Sequence, residues 1–161
     1  MEPDGVDRIV EQWAVERPDL DTTAMAVFGR VLRIARLAGD EVARVYAGYG
    51  IGRPEFDVLA TLRRSGGRLS PGQLSSSLML STGGTTARLD RLEETGLVAR
   101  EPDPHDRRGV VVGLTVRGRT LVEDAVAAGL ARQQELLAHL SPRQQAQLNT
   151  LLRQVLSPLE H

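Results

Sequence analysis

The chain has 161 residues, 41% of them apolar and 25% charged, which suits one domain, or a domain with helical extensions, around a sizeable core. It contains no cysteine and no lysine, so all 20 basic side chains are arginines. Disulfides, thiolate zinc sites and thiol-based peroxide sensing are thereby excluded. A lysine-bearing phosphate loop, Schiff-base chemistry and a Ser-x-x-Lys hydrolase are excluded too, because each needs an amine.

The three histidines, His105, His139 and His161, form no pair at metal-ligand spacing, and no Gly-x-Ser-x-Gly elbow is present. Catalysis has little to work with, and neither an enzyme nor a metal or cofactor is expected. No run of about eighteen apolar residues occurs and no basic-then-apolar leader opens the sequence, so the expected location is cytoplasmic, away from membranes. The formal charge of −1 argues against nucleic acid when taken alone. Its distribution says more. Residues 1–21 hold seven acids against two arginines, whereas residues 22–67 carry +3 and residues 68–120 carry +2. Any phosphate binding must come from placement of a few arginines, not from their abundance.

From Asp4 to Glu16, Val6, Ile9, Val10, Trp13 and Ala14 fall at helical spacing, predicting an amphipathic helix with an acidic outer face. A long helix follows from Thr22 to about Tyr49. Its stripe of Met25, Phe28, Val31, Leu32, Ala35, Val42 and Val45 is broader than one core could cover, which suits packing against a second subunit. Gly48, Gly50 and Gly52 break it, and Pro54 fits the first turn of a helix burying Phe56, Leu59 and Leu62. Ser65-Gly66-Gly67 stops that helix, and Arg68-Leu69 reads as a short extended bridge.

Ser70 with Pro71 opens the next helix, and Ser81 the one after it, which runs to Gly96. Two short apolar strands, Leu97–Arg100 and Val110–Val116, then flank a polar loop with two prolines and the pair Arg107-Arg108. Thr115 caps a helix reaching about His139, and Ser141-Pro142 opens a last one with Leu148, Leu151, Leu152, Val155 and Leu156 on one side.

Two short helices followed by a basic hairpin make a winged helix-turn-helix, so the fold class is mainly α with a small β-hairpin wing and helices at both ends. The expected organisation is an extra helix over 1–21, a long dimerisation helix over 22–53, a DNA-binding domain over 54–120 and dimerisation helices over 121–161. In the second helix of the motif, Leu89 and Leu92 point to the core, which leaves Gly84, Thr85, Arg88 and Arg91 towards the outside. Glycine in a first helical turn costs roughly 1 kcal/mol against alanine, a cost that close approach of a partner would justify. Free N–H groups there suit a phosphate, threonine methyls can touch thymine, and arginine can read guanine. Ser81, Thr82, Gly84, Thr85, Arg88, Arg91, Arg107 and Arg108 are the candidate DNA contacts, with a wing arginine in the minor groove and Asp106 paired to Arg108. The ordinary alternatives are a surface helix and a solvated turn.

The segment DPHDRRGVVVGLTVRGR following RLEETGLVAR resembles the MarR family of dimeric winged-helix regulators, over roughly Thr22 to Leu159. The resemblance implies a homodimer whose two reading helices lie about one DNA turn apart on a palindrome. The additional amino-terminal helix with Trp13 is similar to the urate-responsive branch of that family. That branch's four ligand positions are matched by Trp13, Asp57 in RPEFDVLATL, Arg88 in TTARLDRLEETG and Arg100 in LVAREPD. The resemblance implies that a planar purine anion such as urate is held by the Trp13 indole and the Arg100 guanidinium, repels Asp57 and moves the reading helix through Arg88, releasing double-stranded DNA.

Each residue has a plainer explanation. Trp13 sits on an apolar face, and Asp57 lies in a first turn where a carboxylate suits the helix dipole. Arg88 can simply contact DNA, and Arg100 can pair with Glu101 or a phosphate. Two other readings stay open: a regulator answering to another anionic aromatic or tricarboxylate ligand, and a helical dimeric interaction module without DNA binding.

Overall fold

A computed structural model describes residues 2–78, 82–103 and 109–160. The chain divides into two compact units, 1–41 and 42–161, with the boundary inside the long second helix.

In the first unit, α1 (Gly5–Glu16) opens with a reciprocal cap. Asp4 accepts from the amides of Val6 and Asp7 at 2.6 and 3.0 Å, and the Asp7 carboxylate accepts from the Asp4 amide at 2.8 Å. Both carboxylates also hold Arg30 of α2 (Thr23–Ala47), at 2.9 and 2.5 Å. The backbone donors, and then Arg30, keep both acids below the usual carboxylate range. Opposite Val6 stands Gly29, where a Cβ would lie 3.0 Å from a Val6 methyl, so the missing side chain sets how closely the two helices approach.

The second unit takes up the end of α2, turns at Gly50 with φ of +74°, and continues into α3 (Arg53–Arg64). Tyr46 stacks on Phe56 with ring centroids 3.7 Å apart, fastening the end of α2 to the start of α3. β1 (Arg68–Leu69) leads to α4 (Pro71–Leu78), where Ser70 and Gln73 form a second reciprocal cap. After α5 (Thr82–Glu94) come β2 (Val98–Pro102), β3 (Val110–Leu114), α6 (Val116–Leu136) and α7 (Pro142–Leu156), closed by a 3₁₀ turn over Ser157–Leu159.

The core joins Val58, Leu59 and Leu62 of α3, Leu74 of α4, Leu89 and Leu92 of α5, Leu97 just before β2, Val98 and Val112 of the sheet, and Val122 and Ala125 of α6. This is the mainly α winged fold expected, with three refinements. Arg68-Leu69 is a strand, paired antiparallel with Gly113 and Val112 of β3, so the hairpin grows into a three-stranded sheet ordered β1-β3-β2. β3 stops at Leu114, not Val116, because Thr115 leaves the sheet to cap α6. The last helices and strands otherwise shift by a few residues, with α6 ending at Leu136 before the expected His139.

Thr115 locks that junction. Its amide donates to the Leu97 carbonyl at 3.1 Å, its hydroxyl donates to the Gly96 carbonyl at 2.8 Å, and the same oxygen accepts from the Gly118 amide at 3.0 Å. The first turn of α6 therefore rides directly on the start of β2. A Cβ at Gly118 would stand 1.9 Å from the Leu97 carbonyl oxygen, which is backbone and cannot swing away. Gly118→Ala should cost about 2–3 kcal/mol of unfolding free energy in urea titration. A loss below roughly 0.5 kcal/mol would contradict this close approach.

Candidate functional site

Three inward side chains set the roll of α5. Thr85, Leu89 and Leu92 occupy successive i, i+4, i+7 positions and are all about 1% exposed. Gly83, Thr86, Ala87, Asp90, Arg91 and Glu94 consequently occupy the exposed side, while Gly84, Arg88 and Glu93 lie at its flanks. This corrects one expectation: Thr85 does not face outward. Its hydroxyl lies 2.8 Å from that of Ser75 on α4, a bond between the two helices of the motif. The reason was available in the sequence, since Thr85 stands four residues before Leu89 and must share its face. Thr86, the next residue, takes the outward position. Arg91 is well exposed, with Glu55 of α3 at 3.6 Å. Ser81, Arg107, Arg108, the side chain of Thr82 and the expected Asp106–Arg108 pair lie outside the described residues.

The wing strand is tied to α5 through one arginine. Arg100, midway along β2 and opposite Val112, sends its guanidinium back to the helix. Nη2 donates to Asp90 at 2.5 Å, Nη1 donates to Glu93, and the Arg100 amide donates to the other Glu93 oxygen at 3.1 Å. β2 is an edge strand, and Glu93 thus also satisfies an amide that no neighbouring strand reaches. The hydrogen bond to Asp90, ahead of the one to Glu93, pushes the guanidinium further towards its charged form. Neither carboxylate was anticipated as its partner. Glu101 pairs instead with Arg68 of β1, at 2.9 Å.

Within the second unit, Asp57 and Arg88 make no hydrogen bond or ion pair to that cluster among the described residues. Asp57, half-buried on α3, pairs with Arg53 one turn earlier at 3.2 Å. Arg88 is half-buried and has no ion-pair partner among the described residues. Trp13 lies on α1 in the first unit, 41% exposed beside the exposed Ile9. A cleft of about 140 Å³ opens elsewhere in the second unit, between Tyr49–Gly52, Glu55, the end of α5 and the start of α6; Asp57, Arg88 and Arg100 do not line it.

A helix pair with a buried inner face and an exposed outer one, followed by a sheet hairpin bonded back to the second helix, defines a winged helix-turn-helix protein. Residues 49–109 match the model of the MarR family. The chain is 38% identical over 152 residues to the HTH-type transcriptional regulator PecS of Dickeya dadantii, covering 93% of this chain and 92% of that one. A crystal structure of a mutant E. coli MarR complexed with operator DNA superposes with a TM-score of 0.70 at 30% identity, over 84% of this chain and 97% of that one. AbsC of Streptomyces coelicolor, described as a MarR family transcriptional regulator, superposes at 0.75 with 23% identity, over 88% and 97% of the two chains, and supports the fold. The chain belongs to the MarR family, a group of transcriptional regulators and not enzymes.

The opposite facing of two adjacent threonines gives a direct test. Thr85→Val should lose about 1 kcal/mol of unfolding free energy through the broken bond to Ser75, measured by urea denaturation. Thr86→Ala should leave stability within roughly 0.5 kcal/mol of wild type. The reverse order would show that α5 is rolled differently.

Proposed function

We propose that this protein is a homodimeric, ligand-responsive regulator, acting as a repressor, that binds palindromic operator DNA and leaves it when urate or a related purine anion binds. The observation that carries the DNA reading is the exposed face of α5, with Thr86 and Arg91 on it, held to the wing strand by Arg100. Ser81, Thr82, Gly84, Arg88 and Arg91, together with Arg107 and Arg108 of the wing, are the proposed DNA contacts, joined now by Thr86 in place of Thr85. The relative crystallised with operator DNA supports the same reading.

Dimerisation is supported by apolar surface that one chain leaves uncovered. Met25, Val27, Phe28, Leu32, Ile34 and Leu37 of α2 are each at least 39% exposed. On α7 no residue is buried, and Leu148, Leu151, Leu152, Val155 and Leu156 are open to solvent. Such stripes mark an interface with a partner, here a second copy of the chain.

The effector reading rests on the likeness to PecS and on the four matched residues, Trp13, Asp57, Arg88 and Arg100. An indole offers a flat face and one N–H donor, and a guanidinium offers a flat, permanent cation, which together suit a planar purine monoanion. The extended helix α1 is what brings an indole into the protein at all, since Trp13 is its single tryptophan.

Both halves are testable on a fluorescent duplex carrying a palindrome that the protein selects from a randomised library. Binding should weaken steeply with salt, as phosphate contacts require, and should be lost again on adding millimolar urate. Trp13→Phe should bind the duplex within about twofold of wild type and need several-fold more urate for release. Unchanged DNA binding at millimolar urate would remove the urate assignment. Failure to select any duplex would remove the regulator reading itself.

A further inference from the structure

The guanidinium proposed to hold the effector is already occupied. Nη2 of Arg100 is on Asp90 at 2.5 Å, Nη1 is on Glu93, and the Arg100 side chain is only 29% exposed. One cation faces two carboxylates, so the cluster carries a surplus negative charge before any ligand arrives. An anion cannot be added to it without repulsion, and one N–H on each Nη is already given to a carboxylate. A planar anion reaches Arg100 by taking the place of one or both carboxylates.

Both displaced groups belong to α5. Asp90 stands on the exposed side of that helix, beside Thr86 and Arg91, and its side chain is 52% exposed even while paired. Glu93 flanks the same surface, at 40%. While Arg100 offsets one of their two charges, the surface offered to DNA keeps the positive contribution of Arg91. Once released, two uncompensated carboxylates face a phosphate backbone. The Arg100 amide also loses its acceptor if Glu93 swings away, which loosens the strand from the helix.

Building on the effector reading above, we infer that Asp90 and Glu93 are the built-in competitors of the effector for Arg100, and that the effector expels DNA by unmasking their charge on the reading helix. Coupling between the two ligands then has a physical carrier: one guanidinium with two alternative sets of partners. Asp57 repulsion is not required for it, and Asp57 has its own partner in Arg53.

The test uses full-length wild type, Asp90→Asn, Glu93→Gln and the double variant, with urate binding measured by isothermal titration calorimetry and DNA binding by anisotropy of the selected duplex. Both side chains are substantially solvent-exposed and both replacements nearly isosteric, and the single variants serve if the double one melts early. Removing the competitors should tighten urate binding by roughly three- to tenfold, since apparent affinity is reduced by the fraction of competent state. Damage to the fold would not tighten it. The double variant should also stay on DNA at urate concentrations that strip wild type. Equal urate affinity, or equal release, in wild type and double variant overturns the competition while leaving the effector reading intact. A wild-type protein that binds no urate overturns both.

Discussion

The roll of α5 about its own axis is the constraint on which the rest of this molecule turns. Burying Leu89 and Leu92 is worth about 1.5–3 kcal/mol apiece, whereas exposed ion pairs typically contribute between about 0 and 1 kcal/mol. The apolar contacts therefore fix the helix, and the charges adapt to where it places them. Once Leu89, Leu92 and Thr85 face α3 and α4, the opposite side holds Thr86, Asp90 and Arg91 without further choice. Glu93 falls at the flank nearest β2, within reach of Arg100. A helix that presents an exposed outer face and a helix that is wired to the wing strand are one and the same consequence of this packing.

Sheet and helix are joined with similar economy at the beginning of α6. Thr115 bonds to Gly96 and Leu97 while capping its own helix, and Gly118 lets the first turn settle on the Leu97 carbonyl. The position of β2 relative to α6 is set by backbone contact, with no side chain to compress. Arg100 then transmits that position to α5. Among the described residues, the chain from α6 through β2 to α5 consists of short bonds at each step, with Arg100 joining β2 to Asp90 and Glu93 of α5.

Much of this was legible in the sequence because the elements are punctuated strongly. Ser70 and Thr115 each cap the helix they were expected to cap, Ser141 caps the one it was expected to open, and Gly50, Gly66, Gly67 and Gly96 adopt the positive φ that ends an element. Arg68-Leu69 was legible as an extended segment, but its pairing with β3 was not, since two residues carry no alternation to betray a partner strand. Thr85 was misplaced because small polar residues beside glycines looked like a contact surface, although the spacing to Leu89 already put it inside. Asp90 and Glu93 escaped notice for a different reason. An acidic residue on a surface helix is ordinary in sequence, and only the approach of β2 gives these two a shared cation. Arg100 itself was singled out, yet its partners come from a register that no local pattern encodes.

The absence of cysteine from the sequence makes the central claim open to a direct measurement. Thr86→Cys would place a single thiol on the outer face of α5, and its alkylation rate can be followed with and without the duplex the protein selects. The account predicts a reactive thiol in the free protein that becomes strongly protected at saturating duplex, while a thiol placed at Val15 on α1 keeps its rate. A Thr86→Cys protein that binds the duplex yet is alkylated at the same rate in its presence would contradict the assignment of α5 as the reading helix.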